Sequence, residues 1–203
     1  MIAVIDYGCG NIHAFINAFK RLNIPAIVAS KIDEIKSAQK IVLPGIGSFD
    51  YVIDSFNRSG LRDIVEKKVL DEKIDVLGVC SGMQIFADSS DEGDEKGLGW
   101  IKGNVRTFNT SKIEHKTKLP HMGWNTVIPI NNPLFKGIAI SSRFYFVHSY
   151  YFVITLPENA IATTDYAGKF TCAINRENIY GVQFHPEKSH ENGQQLLYNF
   201  ANL

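Results

Sequence analysis

A cysteine stands between two glycines in the stretch GVCSG, at the point where an apolar run ends and a polar segment begins. Val76, Leu77 and Val79 are typical of a buried strand, and the segment Met83–Ala87 favours a helix. A nucleophile on a sharp strand-to-helix turn has a strained backbone, and neighbours without Cβ atoms let the helix pack close to the strand. Free N–H groups at a helix start favour a thiolate. The pattern predicts that Cys80 is a nucleophile, the alternative being a small buried core residue.

A reactive cysteine needs a base, and the stretch GVQFHPEKS at residues 181–189 contains a candidate. Pro186 biases His185 toward an extended backbone, in which residues two apart point the same way. His185 and Glu187 are therefore expected side by side, with the carboxylate orienting the imidazole. Alone, His185 is better explained as a packed histidine at a strand end. Together with the cysteine motif, it indicates a nucleophile, base and orienter.

The segment PGIGSF, Pro44–Phe49, directly follows a predicted strand at Lys40–Leu43. Glycines at the carboxyl end of a parallel strand let backbone N–H groups line the crevice where such sheets bind ligands. Gly45 and Gly47 are therefore candidate positions for binding a negatively charged oxygen. A simple turn is the alternative explanation for this motif taken alone.

The elements that must position these motifs alternate between strand and helix. Apolar strands are predicted at Ile2–Ile5, Ala26–Ala29 and Lys40–Leu43 with helices between them, which indicates right-handed parallel crossovers. From Val105 onward, short β-rich runs separated by Asn, Gly and Pro predict hairpins or additions to a mixed sheet. We predict one α/β domain over residues 1–203, with a central, mostly parallel sheet flanked by helices and added antiparallel strands in the C-terminal half.

The composition excludes several classes of protein. Lys plus Arg and Asp plus Glu both total 21, so no net charge favours nucleic acid or a membrane surface as a partner. The N-terminus resembles a strand and not a signal peptide, and no apolar stretch has the length of a membrane span. Three dispersed cysteines without metal-ligand spacing fit reduced thiols in the cytoplasm. The acidic segment Asp88–Lys96 is expected to be a solvated loop, and neither a metal nor a cofactor is expected.

The motifs GVCSGMQ and GVQFHPE resemble those of the class I, triad-type glutamine amidotransferases. With DYGCGN, PGIGSF, LPHMGWN and YFVHSYY, the chain is most similar to the glutaminase subunits of imidazole glycerol phosphate synthases. The motifs occur in the same order over essentially the whole chain. The resemblance implies a single amidotransferase domain.

The resemblance also implies the chemistry. Cys80 would attack the side-chain amide of L-glutamine, while His185, oriented by Glu187, accepts the thiol proton and returns it to the departing ammonia. Water would then hydrolyse the thioester to glutamate. The matching oxyanion and switch positions are Gly45, Gly47 and Ser81. The positions that match substrate-binding residues are Gln84, His148, Ser149 and Tyr150.

A partner is implied as well, because the amidotransferase motifs extend along the chain and leave no segment for an ammonia-accepting site. In the resembled enzymes the partner is a (β/α)8-barrel cyclase of histidine biosynthesis, which forms a heterodimer and receives ammonia through a channel. The positions that match its contact segments are Asn11, Pro120, His121, Met122, Gly123, Trp124 and Lys188.

Other interpretations remain open at this point. The family usually has leucine where this chain has Ser81, and relatives with the same chemistry supply ammonia for the synthesis of cell-surface sugars. A catalytically silent regulatory protein is a second alternative. An independent cysteine hydrolase, such as a γ-glutamyl hydrolase, is a third, and strong activity without any partner would identify it.

Overall fold

Short apolar segments and amphipathic helices alternate through the first 80 residues, as the sequence predicts. The computed structural model describes residues 1–113 and 118–203. Its α-helices are α1 (Ile12–Arg21), α2 (Ile32–Lys36), α3 (Phe49–Arg58), α4 (Arg62–Glu66), α5 (Ser81–Gln84) and α6 (His190–Ala201). A π-helical turn, Lys67–Asp71, continues α4, and 3₁₀ turns lie at Thr110–Lys112, Pro133–Phe135, Pro157–Asn159 and Pro186–Lys188.

The strands of the first half are short and apolar, and those of the second half are more mixed. In chain order they are β1 (Ile2–Ile5), β2 (Ala26–Ala29), β3 (Lys40–Gly45), β4 (Asp75–Cys80), β5 (Ser89–Ser90), β6 (Gly103–Thr107), β7 (His121–Thr126), β8 (Ile128–Pro129), β9 (Arg143–His148), β10 (Tyr150–Ile154), β11 (Ala160–Asp165), β12 (Lys169–Arg176) and β13 (Ile179–Val182).

An eight-stranded sheet with the order β2-β1-β3-β4-β13-β12-β11-β8 forms the centre of the protein. The five strands from β2 to β13 are parallel, and β12, β11 and β8 extend the sheet in antiparallel fashion. The predicted α/β fold, mostly parallel with antiparallel strands added in the C-terminal half, is confirmed. Its last parallel strand, β13, lies directly beside the strand that carries the cysteine.

Two smaller sheets cover one end of the large one. Strands β7 and β9 form an antiparallel pair in which His121 lies opposite His148. Strands β10, β6 and β5 form the other small sheet. These additions bring the LPHMGWN and YFVHSYY segments to the edge where the parallel strands end.

The core has one apolar layer on each face of the large sheet, because side chains alternate along a strand. Val4 and Val42 pack into one layer, together with Phe15 and Phe19 of α1. Ile5 and Leu43 pack into the other layer, with the apolar side chains of α3. Both faces of the parallel strands are covered, as their continuous apolar runs require.

The helix after the cysteine is shorter than the sequence predicts. It ends at Gln84, whereas Met83–Ala87 favours a helix. The carbonyl groups of Ile85, Phe86 and Ala87 accept hydrogen bonds from the N–H groups of residues 98, 101 and 99, at 2.8, 3.1 and 3.0 Å. These carbonyls therefore accept hydrogen bonds from the segment GLGWI, residues 97–101, instead of continuing the helix.

Within the described parts of the chain, no helix is long and apolar enough to cross a membrane. The three cysteines are all unpaired and buried. Cys9, between two glycines of the DYGCGN turn, packs in the same apolar layer as Ile5 and Leu43.

The strand-to-helix turn at residues 78–82, here called the elbow, packs closely against β3. We therefore expect substitution of its glycine Gly82 to be severe. A Cβ atom added at Gly82 would lie 2.1 Å from the carbonyl oxygen of Leu43, so backbone atoms would have to move. We expect Gly82→Ala to lower the free energy of unfolding by about 3 kcal/mol or more, measured by denaturant titration. Gly60→Ala is the control: Gly60 has a φ of +72° and open space around it, so about 1 kcal/mol is expected. Equal losses in the two variants would contradict the packing argument.

Candidate active site

Cys80 ends β4 in a backbone conformation that residues with side chains rarely adopt. Its φ is 55° and its ψ is −118°, and α5 begins at the next residue. A Cβ at Gly78 would lie 2.6 Å from the Phe86 ring, so the glycines on both sides of the elbow are sterically required. Such strain persists only where the surrounding packing imposes it, and it concentrates at functional sites.

His185 reaches Cys80 because their strands are parallel neighbours. Val182 of β13 is in register with Val79 of β4, so the residues that follow each strand emerge at the same edge. His185 itself is extended, with φ −100° and ψ 95°. Its side chain is 4% exposed. The candidate nucleophile and the candidate base are thus brought together although they are far apart along the chain.

Glu187 orients the imidazole, although not through the extended chain that the sequence suggests. Glu187 lies in the 3₁₀ turn Pro186–Lys188, which folds its carboxylate back onto the ring. Oε1 of Glu187 is 2.8 Å from Nδ1 of His185, and the Glu187 side chain is 1% exposed. The expected neighbours are therefore in contact, but a tight turn and not a strand brings them together.

The remaining ring nitrogen of His185, Nε2, is not the atom that contacts Glu187. Nε2 is buried and has no well-aligned hydrogen-bond partner among the described residues. Burial disfavours the protonated ring, but the neighbouring Cys80 sulfur and the Glu187 carboxylate outweigh it and raise the pKa of His185 to about 10. A thiolate at Cys80 and the Glu187 carboxylate therefore both favour the protonated ring, the form that can give a proton to a leaving group.

A cavity of about 190 Å³ opens above the cysteine. Most of the predicted site residues line it: Gly47, Cys80, Ser81, Gln84, His148, Ser149, Tyr150 and His185. Two predicted residues do not. Gly45 lies beneath the elbow, where an added Cβ would be 2.1 Å from the nitrogen of Gly82, and Glu187 lies behind His185. Ile46, Glu92, Val147 and Lys188 complete the lining.

Ser81 connects the elbow to the PGIG segment. Its side-chain hydroxyl donates a 2.8 Å hydrogen bond to the carbonyl oxygen of Gly47. Gly47 has a φ of +124°, which favours glycine. The Ser81 hydroxyl therefore anchors the PGIG loop, whose backbone is the second candidate for an oxyanion donor. A leucine side chain at this position could not make this hydrogen bond.

Glu92 is a site residue that the sequence did not indicate. The acidic segment was expected to be solvated; Asp94 and Glu95 are exposed, whereas Glu92 is partly buried. Its carboxylate accepts a 2.9 Å hydrogen bond from the N–H of Phe49, at the start of α3. Burial, reinforced by nearby Asp50, raises the pKa of Glu92 against the effect of that bond. Nothing in the local spacing distinguishes Glu92 from its acidic neighbours.

Buried hydrogen bonds hold the wall of the cavity. Nδ1 of His148 lies 2.7 Å from the carbonyl oxygen of Tyr150, and its Nε2 lies 2.9 Å from Nδ1 of His121. Burial first, and then the charge of His121, lowers the pKa of His148 to about 3. The ring is therefore neutral at ordinary pH.

The predicted partner-facing residues divide between surface and interior. Met122 is 64% exposed and Trp124 37% exposed, while His121 is 3% exposed and points inward. Asn11 and Lys188 are exposed, and Pro120 and Gly123 are partly so. Strand β7 thus presents alternate side chains to solvent and to the cavity wall.

The neutral His148 predicts a pH dependence of stability. Between pH 6.5 and about 3 the unfolded chain binds a proton at this residue and the folded chain does not, so stability falls as the pH falls. We expect His148→Gln to flatten this part of the curve by about 1.4 kcal/mol per pH unit, measured by urea titration at several pH values. The exposed His13→Gln variant is the control and should keep the wild-type slope. An unchanged slope in His148→Gln would show that the buried ring is already protonated.

Comparisons with known proteins agree with this geometry. A family profile described as glutamine amidotransferase class-I matches residues 3–203. The chain is 49% identical to a protein of Bdellovibrio bacteriovorus and 50% identical to one of Leptospira interrogans, each over 204 residues and the full length of both chains. Both relatives are named imidazole glycerol phosphate synthase subunit HisH.

Solved structures share the fold at low identity. A crystal structure of a glutamine amidotransferase has a TM-score of 0.76 at 18% identity, with complete coverage of both chains. A structure of PurLQS from Thermotoga maritima has a TM-score of 0.75 at 18% identity, and the match covers 99% of this chain and 97% of that one. With the profile and the full-length relatives, these findings show that the chain belongs to the class I glutamine amidotransferase family, among relatives that are HisH subunits of imidazole glycerol phosphate synthase.

Proposed function

We propose that residues 1–203 act as one amidotransferase domain, the glutaminase subunit of an imidazole glycerol phosphate synthase. It hydrolyses L-glutamine to glutamate and ammonia and passes the ammonia to a (β/α)8-barrel cyclase in histidine biosynthesis. One observation carries this proposal. The strained Cys80 and His185 meet in one small cavity at the ends of β4 and β13, with Glu187 behind His185.

In the proposed reaction, the Cys80 sulfur attacks the side-chain carbonyl carbon of glutamine. The carbonyl oxygen becomes an oxyanion that the backbone N–H of Ser81 stabilises, with a second donor from the PGIG segment at Gly47. Each such donor is worth on the order of a hundredfold in rate. Gly45 contributes by letting β3 approach the elbow closely enough to bring the segment within reach.

His185 then moves protons in both halves of the reaction. Its Nε2 protonates the departing ammonia, which breaks the C–N bond and leaves a γ-glutamyl thioester on Cys80. The neutral ring next takes a proton from water, whose oxygen attacks the thioester and releases glutamate and the cysteine. Glu187 holds Nδ1 protonated through both steps, so that Nε2 is the exchanging atom.

The cavity wall supplies groups that suit the amino-acid end of glutamine. Glu92 is the acidic side chain among the lining residues and is the candidate for the α-ammonium group. His148, Ser149 and Tyr150 form the opposite wall. Gln84 holds this wall, since its Nε2 lies 2.9 Å from the carbonyl oxygen of Tyr150.

The proposed partner surface lies beside the mouth of the cavity. Lys188 lines the cavity and also lies over the Tyr145 ring, 5.8 Å from its centroid. Tyr145 packs edge-on against Trp124, with ring centroids 6.1 Å apart, and Met122 is exposed on the same strand. Exposed apolar side chains this close to a cavity-lining residue suit a partner that must receive ammonia without its loss to solvent. Asn11, Pro120 and Gly123 complete the proposed interface, and buried His121 supports it from below.

The PGIG segment is the proposed switch between resting and active states. Rotation of one peptide there would add or remove an oxyanion donor, and the Ser81 hydroxyl restrains this segment through the carbonyl of Gly47.

The unpaired cysteines are the support for a cytoplasmic location.

The partner experiment tests the proposed function directly. Glutamate release by the purified chain should be low alone and should rise strongly when a histidine-pathway cyclase barrel and its nucleotide ligand are added. High activity alone would favour an independent hydrolase. No stimulation by this barrel, with Cys80 still reactive toward a glutamine-like alkylating analogue, would favour a surface-sugar synthase as the partner. No turnover with any partner would favour a silent regulatory protein.

Cys80→Ala separates the two halves of the proposed complex. The variant should release no glutamate from glutamine above background, because the thioester cannot form. Synthesis by the complex from added ammonium salt should continue at the wild-type rate, because the acceptor site lies in the partner. Cys172→Ala, at a buried cysteine away from the cavity lining, is the matched control and should retain both activities. Loss of ammonia-dependent synthesis in Cys80→Ala would contradict this division.

Glu92→Gln tests the proposed contact with the α-ammonium group. The variant keeps the shape of the side chain and the bond from Phe49 but removes the negative charge. We expect KM for glutamine to rise about tenfold or more, with a smaller change in kcat, in steady-state assays of the stimulated complex. Glu95→Gln, at an exposed residue of the same segment, should behave as wild type. An unchanged KM in Glu92→Gln would remove Glu92 from the glutamine site.

A further inference from the structure

Gln183 is a fully buried polar side chain next to the nucleophile, and the mechanism above assigns it no role. It directly follows β13 and is 0% exposed. Its backbone N–H donates a 2.8 Å hydrogen bond to the carbonyl of Cys172, which fixes the position of its Cα. Its Nε2 lies 3.7 Å from the Cys80 sulfur.

The orientation of this amide follows from its neighbours. The Tyr150 carbonyl oxygen can only accept hydrogen bonds, so the group of Gln84 that faces it at 2.9 Å must be the NH₂. The same Gln84 nitrogen lies 3.0 Å from Gln183, and a donor there requires that Gln183 present its oxygen. The NH₂ of Gln183 must therefore point toward the sulfur of Cys80.

The hydrogen bonds farther from Cys80 also have determined directions. His148 donates from Nδ1 to the Tyr150 carbonyl and, being neutral, accepts at Nε2 from Nδ1 of His121. Nε2 of His121 then accepts from the NH₂ of Asn125, at 3.1 Å. Asn125 also donates a 2.7 Å hydrogen bond to the carbonyl of Asp165. One continuous chain of hydrogen bonds, each with a determined direction, runs from β7 to the cysteine.

We infer that Gln183 is a further catalytic residue, whose side-chain N–H stabilises negative charge on the Cys80 sulfur before attack. The sulfur faces a second polar atom, the Val147 carbonyl oxygen, at 3.8 Å. That oxygen accepts a hydrogen bond from a thiol but repels a thiolate. The Gln183 N–H binds a thiolate more strongly than a thiol, because a hydrogen bond to a charged acceptor is stronger than one to a neutral acceptor. It therefore offsets the repulsion from the Val147 carbonyl. Gln84, His148 and His121 are the positioning residues that hold the donor in place.

The inference rests on the proposed role of Cys80 as the nucleophile, but its test does not require glutaminase activity. The probe is iodoacetamide, and alkylation of Cys80 is followed by peptide mass spectrometry from about pH 6 to about pH 10, a range around the ordinary thiol pKa. In Gln183→Met we expect alkylation at neutral pH to be about fivefold slower than in wild type, because less thiolate is present. At the upper end of the range the rates should converge, because both proteins then carry the thiolate. The rise of the rate with pH should therefore be displaced to higher pH.

Asn199→Leu is the matched control. Asn199 is another buried amide, which donates to the carbonyls of Leu134 and Lys136 at 2.9 and 2.8 Å, away from the cavity lining. Its removal leaves buried acceptors unsatisfied, so it should destabilise the fold but leave the alkylation profile of Cys80 unchanged. A general loosening of the structure would alter both variants alike.

Two results would overturn the inference: an unchanged rate at neutral pH in Gln183→Met, or a change by the same factor at every pH. If Gln183→Met does not fold, the isosteric Gln183→Glu serves instead. It keeps an acceptor for Gln84 and replaces the N–H that faces the sulfur by an oxygen, so alkylation at neutral pH should again slow about fivefold or more. A rate equal to or above that of wild type would contradict the role of Gln183. Absence of glutamine hydrolysis by the wild-type complex would refute the proposed function and leave this measurement interpretable.

Discussion

The close contact between the end of β3 and the turn after Cys80 is the constraint on which the site depends. A Cβ at Gly45 or at Gly82 would lie 2.1 Å from backbone atoms of the other segment. Only glycine at both positions permits this approach, and the approach brings the PGIG backbone beside the cysteine. The strained backbone of Cys80 is held by the same packing. The proposed nucleophile and oxyanion donors are therefore positioned by main-chain contact and not by flexible side chains.

The parallel sheet performs the second part of the assembly. Adjacent parallel strands end at the same edge of the sheet. Strands β4 and β13 therefore place Cys80 and His185 close together, although the two residues are far apart along the chain. Each strand is buried on both faces and cannot slide without exposing apolar side chains. The register between Val79 and Val182 is thus as well determined as the core itself. Glu187 then needs only one tight turn to reach the imidazole.

Strand β7 connects the proposed partner surface to the interior. Its exposed side chains, Met122 and Trp124, alternate with the inward-facing His121 and Asn125. The inward pair begins the chain of hydrogen bonds that ends at Gln183 and the cysteine. The proposed partner surface and the hydrogen-bonded side chains that lead to Cys80 therefore share one strand.

Local sequence was sufficient to predict the strand-to-helix turn at Cys80, the contact of His185 with Glu187 and the alternation of strand and helix. These features depend on glycine sterics, apolar periodicity and the backbone bias before proline. Local sequence also predicted the mostly parallel sheet, since strand-helix-strand units close in one way. It did not indicate Glu92, whose carboxylate is partly buried against the start of α3. Nor did it indicate the early end of α5, where the carbonyls of residues 85–87 accept hydrogen bonds from residues 98, 99 and 101. The burial of His121 and the amide orientation of Gln183 likewise follow from partners far away in the chain. Tertiary structure alone decided these features. A buried hydrogen bond or charge depends on the group that the fold places next to it, and local sequence does not predict which distant residue supplies that group.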